Sequence, residues 1–269
     1  MFAASSSPDL LTILQCPVCG APLAAAARGV RCSSCERQFH APNGIIDLID
    51  DEHPSSGISQ SIMSSPLFAR AYERLWRPSL FRISTAFRMP ALSHERALIA
   101  DALGGAKGPS LDLSCGPGTF TETLCALNSR TGVVAVDISR PMLELTRRRV
   151  PAALLIRAAA ERLPFADAAF AAACNMAALD VYRDPAHALV ELSRVLRAGA
   201  PFLLSTFVWP TALASFDRVR NLLAQAGASH APLRDELAAM LTGAGLQIDQ
   251  LSSFGSYVIV RGLKKERSC

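Results

Sequence analysis

Residues 110–137 decide the fold: Ser110-Leu-Asp-Leu-Ser-Cys-Gly-Pro-Gly-Thr-Phe120, an amphipathic stretch to Leu127, then Val133-Val-Ala-Val-Asp137. Leu111 to Leu113 predicts the end of a buried strand. Gly116 and Gly118 predict a tight turn where backbone can approach a ligand closely. Thr119 to Leu127 predicts the helix that follows, and Val133 to Val136 a second strand ending in an acid, Asp137. Strand, glycine turn, helix, strand and terminal carboxylate make one half of a nucleotide-binding sheet. The acid is placed for ribose hydroxyls.

The details narrow the ligand. Asp112 precedes the turn, and Asp137 lies 19 residues beyond Gly118. The dinucleotide fingerprint Gly-x-Gly-x-x-Gly is broken, because position 121 is Thr. No Gly-Lys-Ser/Thr of a phosphate-binding P-loop is present. A ligand with ribose and adenine but no phosphate fits best.

Moving outward, the chain of 269 residues is long enough for one α/β domain and a small accessory module. Half of the residues are hydrophobic, so a sizeable core is expected. The net charge of +4 is mildly basic and compatible with nucleic acid without being diagnostic. The first residues lack a basic and apolar leader, and no apolar run approaches a membrane span. Four of the eight cysteines fall in the first 35 residues, and the others (Cys115, Cys125, Cys174, Cys269) are scattered. That pattern argues against a disulfide framework and for a reducing, cytoplasmic setting.

The early cysteines form two knuckles, Cys16-Pro-Val-Cys19 and Cys32-Ser-Ser-Cys35, separated by 12 residues. Two-residue spacing lets both thiolates of a knuckle reach one metal through a tight turn. Four thiolates complete a closed tetrahedral zinc site. With no open position, the expected role is structural: a module this small needs the metal to hold its fold. Residues 11–50 are therefore read as a zinc ribbon, closed by a turn and short strand at Asn43-Gly-Ile-Ile-Asp-Leu-Ile49.

Residues 51–90 read as a polar linker followed by a helix whose aromatic face either packs on the main domain or forms a lid over the ligand pocket, with its arginines available for an anionic substrate or RNA phosphate. Phe68, Tyr72 and Trp76 recur at one-turn spacing, and Arg70, Arg74, Arg77, Arg82 and Arg88 face a single acid, Glu73. Residues 91–269 are read as the main domain. It begins with a helix from Ala91 to Leu103. Ser139 and Pro141 mark the start of another helix, which ends on Arg147-Arg148-Arg149. Strands follow at 152–156 and 170–174, then a helix after Asp184-Pro185. A fifth strand follows the turn at Arg197, helices span about 212–226 and 233–243, and two final strands follow Gly245 and begin at Tyr257. His187 reads as a solvated helix residue.

The stretch Asp112-Leu-Ser-Cys-Gly116-Pro-Gly118 with Asp137 resembles motif I and the acidic loop of class I S-adenosylmethionine-dependent methyltransferases. In that family the form is Asp/Glu-x-Gly-x-Gly-x-Gly, and Ser114 stands for its first glycine. Glu161-Arg-Leu163-Pro164-Phe165 resembles the loop that holds adenine, with Ala159 where the family has aspartate and Ala171 where an acid follows Phe170. The resemblance covers about residues 92–263. It implies a seven-stranded Rossmann-like α/β sheet, with the strand at Tyr257 antiparallel at its edge. It further implies that Asp137 holds the ribose and that the Gly116–Gly118 turn borders the ribose and amino-acid end. Asp112, Ser114, Ile138, Met142 and Asn175 would bound the cofactor. Backbone at Ala160 and Glu161 would read adenine, and Tyr72 would cover the site.

The ribbon-first layout is similar to large-subunit rRNA guanine-N1 methyltransferases. The stretch Tyr72-Glu-Arg-Leu-Trp-Arg-Pro78 and the Ser-Cys-Gly form resemble ribbon-bearing bacterial and plastid methyltransferases of mostly unassigned substrate. Methyl transfer from S-adenosylmethionine to a small molecule is the expectation. RNA is the alternative acceptor. A cofactor-binding interaction protein without activity is a third reading, suggested by Ala159 and Ala171. No residue stands out as a general base.

Overall fold

In a computed structural model, residues 8–49, 65, 90–210, 216–226 and 228–266 are described. Tyr72 and the aromatic and basic lid stretch lie outside them, as does the linker before it.

A small antiparallel sheet comes first, from β1 (Leu23–Ala26), β2 (Gly29–Cys32) and β3 (Gln38–His40). The main sheet has eight strands: β4 (Ile45–Asp47), β5 (Ser110–Leu113), β6 (Val133–Asp137), β7 (Leu154–Arg157), β8 (Ala172–Met176), β9 (Pro201–Phe207), β10 (Leu246–Phe254) and β11 (Tyr257–Lys264). Their order across the sheet is β10-β11-β9-β8-β5-β6-β7-β4. The strands from β4 to β9 pair in parallel, and β11 runs antiparallel to both neighbours.

Continuous apolar runs make the central strands because both faces are covered. In β6, Val134 and Val136 point to one core, and Val133 and Ala135 to the other side. On that other side lie α1 (Leu92–Leu103), α2 (Thr119–Leu127) and α3 (Arg140–Arg149), burying Ile99, Phe120, Leu124 and Leu143. The opposite face takes α4 (Pro185–Val195) and α6 (Arg234–Gly243) through Leu189, Leu192, Leu237 and Leu241. A further helix, α5, spans Asp217–Gln225. The caps agree with the sequence signals: Ser139 accepts from the Met142 N–H at α3, and Asp184 from the His187 N–H at α4. His187 is exposed.

Two expectations need correction. The segment after Asn43 does not close the ribbon. It crosses to the main sheet as β4 and pairs in parallel with β7, adding a strand to the expected seven. Ile45 and Ile46 are both fully buried, one in each core, and only a sheet covered on two faces can bury consecutive residues. Secondly, β11 is not at the edge; it inserts between β9 and β10. Its Tyr-Val-Ile-Val run is buried throughout, whereas β10 carries the mixed pattern of a partly exposed strand.

The small sheet is attached to the same core. Leu14 bridges Phe165, the Gln15 N–H donates to Pro164 O at 2.9 Å, and Leu14, Leu23 and Val30 share a cluster with Phe165 and Ile156. Strand order reverses between β5 and β8, since the chain fills β6 and β7 on one side and returns to fill β8 and β9 on the other. In open α/β sheets, ligands bind beyond the carboxyl ends of the strands at such a switch point.

Candidate functional site

At that switch point the loops after β5, β6 and β8 border an open cleft of about 620 Å³, the solvent-open space at its mouth included. Its walls include Ser114, Gly116, Asp137, Ile138 and Met142, five of the positions the sequence singles out. Ser139, Met176, Ala177, Ala178, Val181 and Tyr182 complete it.

The glycine turn and the acid are joined directly. One carboxylate oxygen of Asp137 accepts from the Gly116 N–H at 2.8 Å, and the other from the Ser139 N–H at 2.8 Å. Burial pushes the Asp137 carboxyl up from its ordinary value, against the pull of these backbone donors. Gly116 has φ 53°, and a Cβ there would meet nothing within 4 Å, so its open side faces free space. Gly118 serves packing instead. A Cβ on it would lie 2.8 Å from Thr146 Cγ2 of α3, and it has φ 82°. Thr146 also donates to Gly116 O at 2.7 Å, so α3 clasps the turn.

Ser114 occupies the left-handed region, φ 57°, where the family form has glycine. That conformation costs a residue with a Cβ about 1–2 kcal/mol. The compensation is a tether: Ser114 Oγ and the Tyr182 hydroxyl lie 2.6 Å apart. Asn175 Nδ2 donates to Tyr182 Oη at 2.5 Å and to Leu113 O at 2.9 Å, which turns the phenol proton toward Ser114. Tyr182 is buried, which raises its pKa, so it stays a neutral phenol. Ala177, at φ 56°, is a second strained wall residue, held by hydrogen bonds from its N–H to Ser205. Strain of this kind concentrates where ligands are gripped.

The remaining singled-out residues stand behind the walls. Asp112 is buried between β5 and α2, accepting from Thr121 Oγ1 at 2.5 Å and Cys174 Sγ at 3.3 Å. Burial foremost pushes its carboxyl up to about 6. Asn175 buttresses Tyr182, and its Oδ1 is buried with no partner among the described residues. Ala160 belongs to the core. Glu161 accepts from the Arg183 N–H at 3.1 Å, which pins the segment after Tyr182. Of the wall residues that sequence reasoning missed, Tyr182 is the one that braces Ser114. The signal was weak: it follows the β8 end by six positions, inside a loop with no motif.

A second constellation lies in the small sheet. The sulfurs of Cys16, Cys19, Cys32 and Cys35 all fall within 4.8 Å of one another, as a tetrahedral metal site requires. Backbone N–H groups of Ser34 and Cys35 donate to Cys32 Sγ at 3.4 Å each, the tight-turn geometry that supports a thiolate ligand. Among the described residues no helix is long and apolar enough to cross a membrane.

Residues 111–204 match the family described as a methyltransferase domain. An uncharacterized chloroplastic methyltransferase of Arabidopsis thaliana is 28% identical over 222 residues, covering 73% of this chain and 62% of that protein. The chain thus spans a little under two thirds of that relative's length. A Micromonospora griseorubida protein, provisionally named a 23S rRNA (guanine-N(1)-)-methyltransferase, is 30% identical over 216 residues, 76% of this chain and 68% of its own. The crystal structure of a SAM-dependent methyltransferase from Thermotoga maritima shares the fold. Its TM-score is 0.55 at 20% identity, over 76% of this chain and 99% of that one.

Proposed function

Because the chain belongs to the S-adenosylmethionine-dependent methyltransferases, we propose that it moves a methyl group from that cofactor to a small-molecule acceptor. The observation that carries the cofactor site is the union of Gly116, Asp137 and Ser139 at the switch point. The residues suit the group: a buried carboxylate edge for ribose hydroxyls, an open glycine for close approach, and Ile138 and Met142 as apolar surface for a base. Ser114 and Tyr182 border the same cleft and support its far wall.

When bound, the cofactor supplies a methyl carbon already activated by its sulfonium. The residues of this chain bind and orient. Asp137 holds ribose while the Gly116 turn limits the approach, and the acceptor atom must be aligned to about 3–3.5 Å. Met176, Ala178 and Val181 are apolar wall residues that would keep water from a ligand bound in the cleft.

The acceptor reading rests on the character of these walls. Met176, Ala177, Ala178 and Val181 give the cleft an apolar side, which suits an apolar or uncharged acceptor. We assign the four-cysteine cluster a structural zinc ion, and a four-thiolate zinc site suits a reducing, cytoplasmic setting. A second reading, base methylation of rRNA, is favoured by the likeness to the Micromonospora protein across 76% of the chain.

One experiment separates them. Labelled cofactor is offered with a panel of small metabolites and with ribosomal RNA, after calorimetry with S-adenosylhomocysteine. Label in a small molecule supports the reading. Label in RNA, with binding that weakens steeply with salt, replaces it by the second. No binding of S-adenosylhomocysteine refutes both.

A further inference from the structure

The extra strand β4 carries an acid to the back of the proposed cofactor loop. Asp47 sits at its carboxyl end, in register with Arg157 of β7, and Arg157 is in register with Asp137 of β6. Three neighbouring parallel strands thus end in a row of acid, base and acid. Asp47 Oδ2 accepts from Arg140 Nη2 at 2.6 Å and from Arg157 Nη1 at 3.1 Å. Arg157 then uses its Nε to donate to Ile138 O at 3.0 Å. Arg140 is the first residue of α3, directly after Ser139. Arg157 therefore holds the Asp137–Ile138–Ser139 loop from behind at Ile138 O, Arg140 ties the residue that follows the loop to Asp47, and one carboxylate fixes both guanidinium groups.

We infer that Asp47 is a positioning residue of the cofactor site, through which the amino-terminal segment sets cofactor affinity. This rests on the cofactor reading above. The physical reason is charge and geometry together. Without Asp47, the two guanidinium groups share no counter-ion among the described residues, and the next carboxylate in the row is Asp137, the one needed for the ribose. Arg157 can serve Asp47 and Ile138 O at once because its fork presents several donors in fixed directions. Asp47 does not line the cleft, so its influence passes through the loop.

The test uses the full chain and calorimetry with S-adenosylhomocysteine. Asp47→Asn is expected to weaken binding about tenfold, within the usual range for coupling between sites. In turnover, the cofactor KM should rise by the same factor while kcat stays within about twofold, and Asp47→Glu should recover most of the loss. Arg157→Lys keeps a cation for Asp47 but cannot also reach Ile138 O, so it should weaken binding similarly. It decides the matter if Asp47→Asn does not fold. Affinity of Asp47→Asn equal to that of the unaltered chain, or of Arg157→Lys where Asp47→Asn does not fold, overturns this inference alone. Absence of binding by the unaltered chain overturns the cofactor reading and this inference with it.

Discussion

Asparagine at position 112 should make the protein more stable at neutral pH and leave it unchanged in acid. Asp112 is almost fully buried, and its carboxyl is pushed up to about 6 from 3.8. Between those values the folded chain keeps a proton that the unfolded chain has released, so stability falls as pH rises through this window. Above about pH 6 the penalty is complete. Two pH units correspond to about 3 kcal/mol. The amide is nearly isosteric with the protonated acid and keeps its contacts: Oδ1 accepts from Thr121, and Nδ2 faces Cys174 Sγ. The variant thus loses the cost of the buried charge and little packing. The assay is urea unfolding of both proteins from pH 4 to pH 7.5, followed by circular dichroism and taken as a difference so that other carboxylates cancel. The stability difference should grow by about 3 kcal/mol in favour of asparagine. A flat difference, or one that grows the other way, refutes the argument. Since Asp112 is not on the cleft wall, S-adenosylhomocysteine affinity should change less than about threefold, against the tenfold that 1.4 kcal/mol would give.

Other positions give sharper losses. Asp137→Ala removes the acceptor for the Gly116 and Ser139 N–H groups; calorimetry should record at least about tenfold weaker S-adenosylhomocysteine binding, and unchanged affinity would mean the site is elsewhere. Tyr182→Phe frees Ser114 from its tether and should cost about 1 kcal/mol in thermal unfolding, with no loss expected if the 2.6 Å contact is unimportant. Gly118→Ala drives a methyl group toward Thr146 at a positive φ and should destabilise by about 2 kcal/mol in the same assay. Cys16→Ser should leave less than one zinc per chain by elemental analysis and lower the unfolding temperature. An equal metal content in both proteins would argue against the four-thiolate site.

Much of the cleft was legible because its signals are local. A glycine pair after an apolar run, an acid at the next strand end, and a Ser-x-Pro helix start each lie within a few residues. The structure unites Gly116, Asp137, Ser139 and Met142 around one cleft. Ser114 shows the limit of such reading. Its departure from glycine is visible in the sequence, but the partner that offsets it, Tyr182, lies 68 residues away. Glu161 is a second case: its motif is recognisable, yet its carboxylate serves the Arg183 backbone.

By itself, then, the sequence determined the class of fold, the glycine turn and its acid, and the two cysteine knuckles. All of these depend on backbone freedom, side-chain period or ligand spacing along the chain. Only the tertiary structure decided which segments became neighbours. It placed Ile45 and Ile46 in the main sheet, where both faces are covered. It put β11 inside the edge because its run is buried on both sides. It also brought Asp47 to Arg140 and Arg157, across 93 and 110 residues. The reason is that burial and charge pairing are settled between distant segments competing for the same partners, and no local pattern records who wins.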